Sequence, residues 1–178
     1  MENSIDNQIT HITSRPVARP QLAGRAFNLL FVFIVLALWP DLASGQTTNT
    51  VTGPQAAKKG PADTFTGTVW VTSLVPNDSI FTTISGSVAF EKSARSHWHS
   101  HPAGQILIVT DGIGYHQIKG EPRQVIRKGD VVKCPPNVVH WHGASPNSKM
   151  THLYIIPNTE KGIVKWLLAV TDAEYNQK

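Results

Sequence analysis

An all-β fold, a small closed barrel or sandwich, is predicted by three observations. Short β-branched runs recur from residue 64 to residue 156, turn residues separate them, and no long helical periodicity interrupts them. Residues 64–71 (TFTGTVWV) alternate and open the series. Residues 79–90 (SIFTTISGSVAF) form the next run, in which Gly86 marks a bulge or a close approach of another backbone. QILIVT at 105–110 and the run 113–118 flank Gly112, and Lys119-Gly120-Glu121-Pro122 ends the pair as a turn. Val125-Ile126 is a short strand; Arg127-Lys128-Gly129-Asp130 turns the chain into 131–133. Strands at 138–142 and 151–156 complete the set.

The tail has a different pattern. Ile163, Val164, Trp166, Leu167 and Val170 have helix-like spacing, and Thr171-x-x-Glu174 has the form of a capping box. One or two short C-terminal helices are expected against the outside of the barrel.

The N-terminus reads as an export segment. Residues 29–39 (LLFVFIVLALW) are apolar, shorter than the about 20 residues of a membrane span and suited to a signal-peptide core. Arg15, Arg19 and Arg25 precede the run and Ala43-Ser44-Gly45 follows it. Residues 1–45 are therefore expected to be a signal peptide, or a membrane anchor if uncleaved, which places the protein in the periplasm or outside the cell. Residues 46–58 read as a flexible linker, and 59–178 as the folded domain, with membrane contact only through the N-terminal segment.

Charge narrows the partners. The net charge of +4 is spread along the chain without a basic stripe, so nucleic acid is not an expected partner. A single cysteine, Cys134, rules out an intramolecular disulfide; beside Pro135-Pro136 it reads as a small buried side chain.

Histidine carries the chemistry. Of the eight histidines, all but His11 fall between His97 and His152. Residues i and i+2 of a strand face one side, so His99 and His101 point together and Trp98 and Ser100 point away. Gln105 returns to that face if the chain bends at Pro102-Ala103-Gly104. His140 and His142 share a face on a later strand, with Trp141 turned out. Three imidazoles from two strands can thus converge inside a barrel, which suits iron, manganese, nickel, copper or zinc. His97 shares the parity of His99 but is expected at the barrel rim, and His116, one out of phase with Tyr115 and Gln117, is expected to be exposed. Trp98 and Trp141 are expected to pack between subunits or under the C-terminal helices.

These residues fall in two spaced motifs: His99-x-His101-x₃-Gln105-x₆-Gly112 and Gly129-x₅-Pro135-x-Asn137-x₂-His140. In this the chain resembles the cupin superfamily, whose fold is a double-stranded β-helix, or jelly-roll, barrel. Gln105 stands where that family usually has Glu, Asn137 where it has a turn glycine, and Ser93 where the first motif opens on Gly. Asn tolerates the left-handed conformation best after Gly. From about Lys59 to Tyr175, GPADTFTGTV, ARSHWHSHPAGQILIVTDG, GDVVKCPPNVVHWHGA, MTHLYI and VTDAEY resemble the small bacterial cupins that act as manganese-dependent hydroxynitrile lyases. The resemblance implies His99, His101, Gln105 and His140 as metal ligands, His142 as catalytic base or acid, and His152 as a second catalytic or pocket-lining histidine. It implies manganese as the metal, with iron, nickel, zinc or copper as alternatives, a small-molecule substrate, and a homo-oligomer, dimer or tetramer. A neutral Gln ligand would leave the full dipositive charge on the metal, making a stronger Lewis acid and anion binder. That suits a lyase that releases or captures cyanide from a cyanohydrin, or acts on a related small carbonyl substrate, with His142 taking the hydroxyl proton and a protonated His152 helping to hold the anion. An oxygenase and a non-catalytic binding module are the alternatives.

Overall fold

The computed structural model describes residues 51, 53 and 55–177. The expected export segment, residues 1–45, lies outside the described residues, as do residues 46–50 of the expected linker. Among the described residues no helix is long and apolar enough to cross a membrane.

Among the described residues twelve strands form two curled antiparallel sheets that share one long strand. In chain order they are β1 (Lys58–Lys59), β2 (Phe65–Thr66), β3 (Val69–Val75), β4 (Ile84–Phe90), β5 (Arg95–Ser96), β6 (His99–Ser100), β7 (Gln105–Ile118), β8 (Gln124–Arg127), β9 (Val131–Cys134), β10 (His140–Ala144), β11 (Met150–Ile156) and β12 (Lys165–Trp166). The first sheet runs β1-β3-β4-β11-β7, with β9 also on β7. The second is built on β10, which pairs with β5, β6 and β7, while β2, β12 and β8 extend it.

The strand β7 ties the two sheets together. Its first residues, Gln105–Ile108, pair with β9, and Ile113–His116 pair with β8. Gly112 marks the crossing. Its φ is +76°, and a Cβ there would lie 1.9 Å from the Lys149 carbonyl oxygen, so only glycine fits. Both sheets contribute to one apolar cluster, with Val69, Val88, Phe90, Val109 and Met150 from the first, Ile126 and Ala144 from the second, and Ala94 just ahead of β5.

The expected strands are present with three changes. Residues 64–71 do not form one strand: Gly67, at φ +83°, ends β2 in the second sheet before β3 begins in the first. Residues 79–83 are not strand. Asp78 Oδ1 accepts from the backbone N–H groups of Ile80 and Phe81, and Thr82 has φ 43°, so turn chemistry overrides the apolar pattern. The two runs around Gly112 are one continuous strand.

The tail departs most from expectation. Residues 163–170 are not helical. Lys165 and Trp166 pair with Ser100 and His99, Leu167 N–H donates to the Trp98 carbonyl at 2.8 Å, and Trp98 N–H donates to the Leu168 carbonyl at 3.1 Å. The free edge of β6 needs backbone partners, and this segment supplies them in extended form. A 3₁₀ turn at Thr159–Lys161 precedes it, and one short helix, α1 (Asp172–Tyr175), follows it. The capping box at α1 is present: the Thr171 hydroxyl accepts from Glu174 N–H at 3.1 Å and the Glu174 carboxylate accepts from Thr171 N–H at 2.8 Å.

Trp98 and Trp141 are buried beneath this tail, in a second cluster with Val170 and Tyr175. Trp141 Nε1–H donates to Gln117 Oε1 at 2.8 Å, and the Tyr175 hydroxyl donates to the Ala144 carbonyl at 2.7 Å. Arg95 reaches both the Val170 carbonyl and Asp172, clamping α1 to β5. Of the two expected places for the tryptophans, the chain's own tail is where they are.

Candidate metal centre

The interior of the barrel holds six imidazoles, His99, His101, His116, His140, His142 and His152, all buried. Strand register produces the gathering. His140 pairs with His99 across β10 and β6, and also with Ile118 of β7; His142 pairs with His116. Gln105 opens β7 opposite Cys134. Asn137, with φ 62°, takes the left-handed turn that aims β10, and its N–H donates to the His101 carbonyl at 2.8 Å.

Three of the six rings are held in the same way. His99 Nδ1–H donates to the His97 carbonyl at 2.9 Å, His101 Nδ1–H to the Ile163 carbonyl at 2.6 Å, and His140 Nδ1–H to the Val138 carbonyl at 3.0 Å. Each bond fixes the tautomer and leaves Nε2 with a lone pair, the arrangement that orients metal-binding histidines. Their ring centroids lie 5.2 Å (His99–His101), 4.3 Å (His99–His140) and 5.7 Å (His101–His140) apart. Three imidazoles around one ion at ordinary N–metal distances have centroids about 4.5–5.5 Å apart; the His99–His101 pair lies inside that range and the other two lie about 0.2 Å outside it on either side.

Two further observations test the fit of a cation. His101 Nε2 is buried with no hydrogen-bond partner. His140 Nε2, an acceptor once Nδ1–H is committed to Val138, faces Gln105 Oε1, also an acceptor, at 3.2 Å. Two buried lone pairs face to face are costly unless a cation satisfies both. The donor set of three neutral nitrogens and an amide oxygen fits a divalent transition metal.

The tightest geometric trio is a different one. Ligand atoms of His99, His140 and His142 all lie within 4.8 Å of one another, and this group could hold a metal. The two trios share His99 and His140 and differ in the third ring. His142 lacks a carbonyl on Nδ1, which is buried and unpartnered, so it has no anchor of the kind that holds His101.

Burial also sets the protonation states. It holds His99 well below the ordinary imidazole range, helped by neighbouring His140. Burial moves His140 down to about 4 and lowers His101. His142 is pushed well down by burial and then by His152 and three other imidazoles. His152 falls to about 4, again through burial, and neither of its ring nitrogens has a partner. The cluster is therefore neutral near pH 7. A standing positive charge on His152 does not fit this surrounding.

The rings border a cavity of about 470 Å³ whose wall is mostly apolar. His99, His101, Gln105, His142 and His152 line one part of it, and His140 is the fully buried ring behind them. Phe65, Val71, Val88 and Trp166 form much of the wall, and the segment from Lys58 to Phe65 closes one side. Trp166 packs on His99 with centroids 4.8 Å apart and meets Phe65 edge-on at 5.8 Å.

The expected site residues are thus all in one place. His97 is at the limit of burial, contributing its carbonyl. His116 is a correction: it is 2% exposed, with Nε2 3.3 Å from Cys134 Sγ. Tyr115 misled the parity. Its ring faces outward but is covered by Tyr175 and Arg123, so the aromatic face of this strand is the outer one. Cys134 is buried as expected, and burial raises its thiol to about 12. The pocket walls from β12 and the Lys58–Phe65 segment were not expected. The apolar alternation of Val164 and Trp166 was the available signal.

Comparison with known proteins agrees with this geometry. The family model "Cupin domain" matches residues 86–157. An "(R)-mandelonitrile lyase" from Granulicella tundricola is 46% identical over 125 residues, 70% of this chain and 95% of that one. The chain belongs to the cupin family. A cupin-like protein from Thermotoga maritima, known from its crystal structure, is 50% identical to this cupin with a TM-score of 0.66, covering 68% of this chain and 92% of that one. A cupin-2 domain protein from Rhodospirillum rubrum shares the fold at a TM-score of 0.54 and 18% identity, over 72% of this chain and 83% of its own.

Proposed function

We propose that this cupin is a metal-dependent lyase that cleaves or forms cyanohydrins of small carbonyl compounds. His99, His101, Gln105 and His140 hold a divalent metal, manganese foremost, and His142 is the base. One observation carries the reading: of three imidazoles anchored through Nδ1, His99 and His101 line the apolar cavity and His140 lies behind them, beside two further lining imidazoles, His142 and His152, whose buried Nδ1 has no hydrogen-bond partner. The first three are built to bind and the other two are free to exchange protons. The 46% identity to a mandelonitrile lyase supports cyanohydrin as the substrate class.

When bound, the metal supplies a dipositive charge that lowers the pKa of an adjacent hydroxyl and favours a departing anion. His142 is neutral at rest because burial and neighbouring imidazoles disfavour its cation; its lone pair is free, and the same surroundings make its imidazolium a ready donor in the return step. It takes the hydroxyl proton of the cyanohydrin. The O–H electron pair becomes the second bond of the carbonyl as the bond to the nitrile carbon breaks, and its pair leaves on cyanide. The imidazolium of His142, or His152 after proton exchange, returns the proton to give hydrogen cyanide. The apolar wall keeps water from competing for these protons.

The test is mandelonitrile cleavage by manganese-loaded protein. His142→Ala should lower kcat by about 10²–10⁴-fold while elemental analysis finds the metal retained. An unchanged rate overturns the base assignment. A protein that holds metal and releases no cyanide from any cyanohydrin is a binder, and one that consumes oxygen is an oxygenase.

A further inference from the structure

Tyr154 is a polar residue in the cavity wall that the chemistry above does not use. It lies on β11 two residues beyond His152, about 7 Å along the strand, and lines the same cavity as His142 and His152. Its cross-strand partner on β4 is Gly86. A Cβ at Gly86 would lie 2.6 Å from the Tyr154 hydroxyl oxygen and ring edge, and 2.5 Å from the Thr72 carbonyl. The missing side chain is therefore the seat of the phenol. The backbone of Tyr154 is fixed as well, its carbonyl accepting from Ser85 Oγ at 2.7 Å.

At this level the same two strands otherwise offer Ile84, Val88 and Ile156 to the cavity. The Tyr154 hydroxyl makes no hydrogen bond to the described residues, and burial keeps it a neutral O–H. A few fixed polar groups in an apolar pocket orient its ligand. Its place on the strand, two residues from His152, is offset by about 7 Å, about the length of a benzene ring bearing one substituent.

We infer that Tyr154, seated on Gly86, is a specificity-determining residue whose hydroxyl donates to an acceptor on the substrate at the end remote from the reacting carbon. The substrate class is then an aromatic cyanohydrin, or its aldehyde, whose ring carries an ether, hydroxyl or carbonyl oxygen opposite the carbinol carbon. The inference rests on the lyase reading for its reacting group.

The experiment compares 4-methoxybenzaldehyde with 4-ethylbenzaldehyde, near-isosteres that differ in the acceptor. Affinities are measured by isothermal titration on metal-loaded protein without cyanide. The native chain should favour the methoxy compound by about tenfold, the value of one hydrogen bond to a fixed donor. In Tyr154→Phe, and in Tyr154→Leu should the first variant fail to fold, the ratio should fall to about one. An equal ratio in native and variant proteins, or no binding of either aldehyde, overturns the inference. Cyanide release from mandelonitrile is measured in parallel. Selectivity without cyanide release leaves Tyr154 in place and overturns the lyase, and cyanide release without selectivity does the reverse.

Discussion

In the proposed lyase, Gln105 is where one atom decides the chemistry. Its amide oxygen faces the free nitrogen of His140 at 3.2 Å in the position where a carboxylate would neutralise part of a metal's charge. Gln105→Glu should strengthen metal retention and weaken the Lewis acid. Elemental analysis should find at least native metal content, while cyanohydrin cleavage falls about tenfold or more. Retained activity would show that the amide is only a hydrogen-bonding group. The gathering of His99, His101, Gln105 and His140 in one place was legible because strand parity and spacing carry it. His116 was not, because parity says which residues share a face but not which face is inside. Tyr115 looked like the core residue of that strand, yet its cover comes from Tyr175 sixty residues later.

The elements divide in the same way. Strands with local alternation, such as β4, β7 and β11, could be read from sequence; those whose form depends on distant partners could not. Residues 163–170 have apolar positions that satisfy a helix pattern, but the unpaired edge of β6 dictates an extended backbone. The capping box of α1 was legible because its four residues are self-sufficient. That helix has only one turn, so its stability comes from what it covers. Tyr175 touches Trp141 and Tyr115, stacks under Arg95 and bonds to the Ala144 carbonyl. Tyr175→Ala should cost about 3–5 kcal/mol, as large aromatic truncations do, and Tyr175→Phe about 1 kcal/mol for the lost hydrogen bond. Urea titration followed by tryptophan fluorescence would report both, since Trp98 and Trp141 lie in the same cluster.

For the whole molecule, the cost of the site is a barrel filled with imidazole where a smaller cupin-like core could hold hydrocarbon. His152 shows the effect, since it is fully buried and its folded value is about 4 against an ordinary 6.5. Its neutral form is the one folding favours. Its contribution to stability is present above pH 6.5 and is lost as pH falls toward 4, by up to about 3 kcal/mol. Stability measured by denaturant between pH 7 and pH 4 should therefore fall less steeply in His152→Leu than in the native chain. An equal slope would place the acid sensitivity elsewhere in the cluster.

The segment from Lys58 to Phe65 has a practical consequence. It pairs with β3 through Lys58 and Lys59 and forms one side of the cavity through Gly60, Pro61, Thr64 and Phe65. A recombinant version cut at the start of the obvious barrel, near Val69, would keep its imidazoles yet lose a wall of the cavity. An affinity tag fused directly ahead of Lys58 would sit beside the cavity wall. The safe place to shorten this chain is before Gln55, and kinetic constants from shorter or closely tagged forms would describe a different pocket.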